Sequence, residues 1–191
     1  QCVNGYVVAK ASGFKDARYL FSTVSGGSVN MIMEGLYEKN VQLKIDSVNY
    51  NGNAIIYFTS GDLSKTVAYP EQKSVQLAEG QYDVQVYIYK NSSINVGETT
   101  SQQCLTVPRA GVLGAFGLEE EKCFDIKVPA QIISNALAGG GEQSQYILES
   151  ELIGANTLEI NAKGFPVPDT VEKLQDNYIL FEENGLDINF R

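Results

Sequence analysis

The chain has 191 residues, 43% hydrophobic and 19% charged, a balance that places it among folded proteins and excludes a disordered one. It contains no histidine, which removes Ser-His-Asp and Cys-His nucleophile systems, histidine metal ligands and a histidine general base. The net charge of −9, without any basic cluster, argues against nucleic acid and anionic membranes, whose phosphates need lysine and arginine.

That charge is uneven. Residues 1–110 hold nine acidic and nine basic side chains, and residues 111–191 hold fourteen and five. Nine of the eleven tyrosines fall in the first part. The shift predicts two domains, 1–108 and 123–191, joined by a glycine-rich linker over 109–122. The first residue is Gln1 and not Met, so a processed or excised piece is expected. No run of 18 apolar residues occurs, which leaves a missing N-terminal segment or an anchor as the only route to a membrane. Cys2 is a free thiol, the stump of a bond to that segment, or a lipid-anchored residue.

In chain order, Val3–Ala11, Tyr19–Val24 and Val29–Met33 read as short strands separated by Ser-Gly turns. Val41–Tyr50 alternates, with Val41, Leu43 and Ile45 inward. Asn51-Gly52 then predicts a tight hairpin into Ala54–Thr59. Ser60-Gly61-Asp62 turns into a brief strand over Thr66–Tyr69, which Pro70 assigns to a sheet edge.

Val75–Tyr89 is the clearest stretch, two alternating runs meeting at Glu79-Gly80 and read as a hairpin. Tyr82, Val84, Val86 and Ile88 take the inner face, Asp83, Gln85, Tyr87 and Tyr89 the outer. A polar loop over Asn91–Thr100 and a last strand near Gln103–Val107 complete an antiparallel β-sandwich.

The linker carries Val112, Leu113, Phe116 and Leu118 among three glycines, so it is either a cover for a domain face or a contact point for a partner. Cys104 and Cys123 flank it. A disulfide between them is expected in an oxidising compartment, contributing about 3 kcal/mol for a loop of that size; the other reading is two buried thiols in a cytosolic protein. Beyond it, Phe124–Val128 reads as a strand. Pro129 opens a helix to about Ala138, stopped by Gly139-Gly140-Gly141. Tyr146–Leu152 and Asn156–Ala162 read as strands. Asp169 and Glu172 form a capping pair for a helix with a Val171, Leu174, Tyr178, Phe181 stripe, and Leu186–Phe190 is the final strand. The order is β-α-β-β-α-β, so the expected fold class is mainly β with α+β: a sandwich followed by a small ferredoxin-like domain.

No constellation reads as a catalytic, cofactor or metal site. The triple glycine follows a helix instead of opening one, so its amides are not aimed at a phosphate. Glu119-Glu120-Glu121 are consecutive and cannot converge on one ion. Glu149 and Glu151 lie two apart on an expected strand, as on a wet sheet face. Tyr87 and Tyr89 are candidate contacts for a partner or a carbohydrate, as is Phe116 for a partner. Asn91-Ser92-Ser93 is a glycosylation acceptor on Asn91 in the polar loop.

Leu77-x-x-Gly80-x-Tyr82-x-Val84-x-Val86 is similar to the pattern of prealbumin-like and carboxypeptidase-regulatory-like extracellular sandwich modules. Gly13-Phe14, Gly27-x-Val29 and Val41-x-Leu43-x-Ile45-x-x-Val48 together resemble the ectodomains of archaeal pilin and other surface proteins. The apolar helix that builds the filament core in that family is absent from this sequence. The resemblances imply a non-enzymatic extracellular or cell-surface structural or adhesive ectodomain, working through protein partners or self-assembly. A carbohydrate- or ligand-binding accessory module and a His-independent hydrolase are the alternatives.

Overall fold

The computed structural model describes residues 4–22, 24, 27–61, 63–108 and 119–191. The fold is mainly β. The described residues form thirteen strands: β1 Gly5–Ala9, β2 Ala17–Phe21, β3 Tyr37–Ile45, β4 Val48–Asn49, β5 Ala54–Ser60, β6 Leu63–Tyr69, β7 Ser74–Leu77, β8 Gly80–Val96, β9 Thr99–Pro108, β10 Glu119–Val128, β11 Gln131–Ile147, β12 Thr157–Gly164 and β13 Asp187–Phe190. Two helices, α1 Glu149–Gly154 and α2 Val171–Glu183, accompany them.

Nine strands form one mixed sheet in the order β4-β3-β12-β11-β8-β5-β6, with β7 also on β3 and β13 also on β12. The sheet curls so that both of its ends face one core. Val41 and Leu43 of β3, Ile56 and Phe58 of β5, Tyr82, Val84, Val86 and Ile88 of β8 and Leu158 and Ile160 of β12 all bury there. The inward set expected for β8 is the observed one, and β6 lies at the sheet edge that Pro70 marks.

The expected boundary between 1–108 and 123–191 cuts across this sheet. β3 and β12 pair in parallel, Asn40 against Thr157 through Ile45 against Ala162, and β8 pairs with β11 along nearly its whole length. A strand buried between two neighbours draws them from anywhere in the chain, and a shift in charge along the sequence does not prevent it. Two clips hold the parallel junction. The Glu159 carboxylate accepts from Lys44 at 2.8 Å and lies 3.3 Å from Arg191. The buried ammonium of Lys39 donates to the carbonyl of Ala155 beyond α1, at 2.6 Å.

Several turns differ from expectation. The tight hairpin is at Asp46-Ser47, whose φ angles of 48° and 70° bring β4 back onto β3. Asn51-Gly52 instead lies in the connection that carries the chain over to β5. Glu79-Gly80 is likewise a crossover and not a hairpin, because β7 pairs with β3 while β8 pairs with β5 and β11. The buried Tyr82 hydroxyl pins this crossover, donating to the Ala78 carbonyl and accepting from the Ala78 amide, both at 3.1 Å. That back-bond is the geometry of a tyrosine corner. Val29–Met33 is not in a strand.

The ferredoxin-like order is also corrected. The expected helix over residues 129–138 is the first half of β11, and the end of the expected strand Tyr146–Leu152 is the first turn of α1. Gly139 and Gly140 stop no helix. They stand at a register shift in the β8–β11 pairing, where the other edge of β11 reaches Gly164 and Lys163 of β12 and joins the two halves of the curled sheet. Gly140 has φ 134°, and a Cβ there would meet the Val86 carbonyl oxygen; no other residue fits. α2 forms as expected, but Thr170 caps it by accepting from the Lys173 amide, while Asp169 pairs with Lys173 at 2.7 Å. Its inner stripe runs through Leu174, Asn177 and Phe181, with Tyr178 exposed.

Two pairs of strands stand outside this sheet as two-stranded antiparallel ribbons: β1–β2 and β9–β10. The second continues the line of β8 and β11 beyond Val96 and Gln131, after a two-residue break on each strand.

Candidate functional site

Two surfaces carry the residues singled out by sequence. The first is the outer face of β5 and β8, where alternation puts Tyr57 and Thr59 beside Gln85, Tyr87 and Tyr89. α2 packs across part of this face. Phe181 stacks on Tyr87 with centroids 4.3 Å apart and planes at 16°, and Tyr57 meets Tyr87 edge-on at 5.9 Å. Tyr87 is therefore half consumed as packing. Burial raises its pKa first, with a smaller push from the Glu142 carboxylate; burial also leads the rise at Tyr89. Tyr57, Thr59, Gln85, Tyr87 and Tyr89 line an open groove of about 330 Å³. Such a face offers aromatic stacking and neutral hydrogen bonds.

An adjoining open groove of about 380 Å³ is lined by Asp83, Gln85, Glu142 and Ser144 among others. Ser144 donates to Asp83, and Gln85 donates to Glu142 at 3.1 Å. Both carboxylates are exposed, so the pair belongs to a wet sheet face and not to an enclosed acid–base site. Glu149 and Glu151 fall on the first turn of α1, not on a strand. Glu149 accepts the Tyr37 hydroxyl at 2.7 Å, which is the leading cause of the raised Tyr37 pKa; Glu151 accepts from the Leu148 amide at 2.9 Å.

The second surface is the β9–β10 ribbon. Cys104 and Cys123 oppose each other in register and are joined by a disulfide. Glu121 approaches the two sulfurs, but sulfurs bonded to each other are not thiolates and hold no metal. Partners in an antiparallel pair share a face. One face of this ribbon therefore carries the disulfide, Asp125 and Lys127, and the other carries Leu105, Phe124, Ile126 and Val128. Those four apolar side chains are 50%, 54%, 44% and 41% exposed. Phe124, Ile126 and Val128 share one face of their strand, yet no other part of the described chain lies against it.

Asn91 is exposed, on β8 opposite Asn135 and not in a loop. Phe116 lies outside the described residues. Sequence reasoning missed Asn177, whose buried amide donates to the carbonyls of Leu137 at 2.7 Å and Pro166 at 2.9 Å, and it missed Lys39. Neither has a local signature, because the partners are distant carbonyls.

Comparisons with protein-family models, curated proteins and solved structures give no match to this chain.

Proposed function

We propose that this chain is a non-enzymatic structural or adhesive ectodomain that acts through protein–protein contacts in an extracellular or cell-surface setting. One observation carries the reading: a disulfide-stapled ribbon presents an apolar face that nothing in the described chain covers. Two-stranded ribbons are marginal on their own in water, and an exposed apolar patch on a folded protein marks a contact surface. The disulfide fits an oxidising compartment. No helix among the described residues is long and apolar enough to cross a membrane.

The test is a photo-crosslinking residue placed at Ile126, and separately at Gln102 on the opposite face, in the full chain in its native cells. Protein adducts are expected at Ile126 and not at Gln102. Equal or absent adducts at both positions would remove the reading.

A second reading is a carbohydrate-binding accessory module, favoured by the gathering of Tyr57, Tyr87 and Tyr89 in one groove. Its test is titration with neutral oligosaccharides followed by amide chemical shifts. The reading requires shifts along β5 and β8 that vanish in Tyr57→Ala and Tyr89→Ala.

A further inference from the structure

We infer that the outer face of β5, β8 and β11 binds oligosaccharides whose sugars carry free amino groups, the protonated amines lying over tyrosine rings and against exposed carboxylates. This rests on the carbohydrate-binding reading above and names the class of sugar.

The two open grooves on this face share Gln85, so they form one platform. Tyr57, Tyr87 and Tyr89 hold one end of it, and Asp83, Glu142 and Ser144 the other. Register fixes the arrangement. Thr59 stands opposite Asp83 and Tyr57 opposite Gln85, while Ser144 and Glu142 stand opposite the same two residues from the other side. Partners in an antiparallel pair share a face, so all six side chains point the same way. α2 adds a further ring. Burial leads the raised pKa of Tyr89, and Tyr178, Tyr57 and Tyr87 add to it, which places the exposed Tyr178 beside those three.

Charge selects the sugar. Behind burial, Glu142 and then, more weakly, Glu182 of α2 push up the Tyr87 pKa, so two carboxylates face that ring. Asp83, Glu142 and Glu182 are exposed, and none has an ion pair among the described residues. No lysine or arginine among the described residues lines either groove. An incoming ammonium is attracted both to such carboxylates and to the negative face of a tyrosine ring.

The backbone favours a sugar over a peptide. The two strands that carry Tyr57, Tyr87 and Tyr89 are each paired on both sides, β5 by β6 and β8, and β8 by β5 and β11. An extended peptide therefore finds no open ladder to join there. Recognition is left to side chains: rings for the apolar face of a sugar, and Thr59, Gln85 and Ser144 for its hydroxyls.

The experiment titrates the full chain, at a mildly acidic pH that keeps sugar amines protonated, with a glucosamine oligomer and with its N-acetylated counterpart of equal length. The charged oligomer should bind about tenfold or more tighter and shift amide signals along β5 and β8. Asp83→Asn with Glu142→Gln should bring the two oligomers level. Asparagine and glutamine still accept from Ser144 and Gln85, so the sheet keeps its contacts. Glu119→Gln with Asp125→Asn removes the same charge from the ribbon and should leave the preference unchanged. Equal binding of both oligomers by wild type, or tighter binding of the neutral one, overturns this inference and leaves the carbohydrate reading standing. Binding of neither overturns both. An equal loss of preference in the ribbon variant, or an oligolysine of equal charge bound as tightly as the glucosamine oligomer, also overturns the inference. Either would mean attraction of any polycation to an acidic protein.

Discussion

Two lengths of the same antiparallel pair behave oppositely. In β8 and β11 the alternating apolar residues Tyr82, Val84, Val86 and Ile88 are sealed in the core. In β9 and β10, which continue that line, Phe124, Ile126 and Val128 alternate just as regularly and stand in solvent. The alternation specifies a face; what lies against that face is a separate matter. Body strands derive stability from the opposite side of the curled sheet. The ribbon is held by its ladder and its disulfide.

The sharpest way to test this division is to remove one aromatic ring from each region. Phe58→Ala, deep in the core, should cost about 3–5 kcal/mol and lower the thermal midpoint by many degrees. Phe124→Ala should change monomer stability by no more than about 0.5 kcal/mol. Equal losses in calorimetry would mean that ribbon and body form one cooperative unit.

Next comes the staple. Cys104→Ser with Cys123→Ser should remove about 3 kcal/mol of local constraint from the ribbon. Amide exchange should accelerate in β9 and β10 while β5 and β8 keep their protection. Loss of protection in β5 would erase the boundary between the regions.

A pH experiment examines the body alone. The Lys44 hydrogen bond, helped by the Arg191 charge, holds the Glu159 pKa below its ordinary 4.5. A carboxyl lowered by folding stabilises above its unfolded pKa, and that contribution fades as pH falls through the folded value. Denaturant midpoints should therefore drop below about pH 4.5 in wild type and drop less steeply in Glu159→Gln. Identical acid limbs would assign no role to the clip.

The smallest effect is at the β3–β4 hairpin, where Ser47 holds a φ of 70°. Glycine is at ease there. Ser47→Gly should add about 0.5–1 kcal/mol to the body and leave ribbon exchange untouched, and a loss of stability would contradict the turn geometry.

Many strand faces were legible because they depend on near neighbours: Val41, Leu43 and the β8 set all fall where alternation assigns them. Pairing was not. Glu79-Gly80 and Asn51-Gly52 have turn chemistry, and both serve connections between strands that do not pair with each other. Pro129 and the triple glycine imitate the two ends of a helix, yet Gly139 and Gly140 are there for the close approach of β12 and Val86. The tyrosine site was half legible. Outward positions for Tyr87 and Tyr89 follow from parity, but the Phe181 stack depends on how α2 crosses the sheet.

The parallel pairing of β3 with β12 bears on the order of events during synthesis. Thr157 lies 117 residues after Asn40, so β3 leaves the ribosome long before its neighbour exists. Until then an unprotected edge lies beside Val41 and Leu43, the kind of edge that recruits other chains. The Cys104–Cys123 loop, by contrast, spans a separation of 19 and can close while the body is still open. Pulse-labelling of nascent chains stopped near residue 150 should find the disulfide already formed and the body still protease-sensitive.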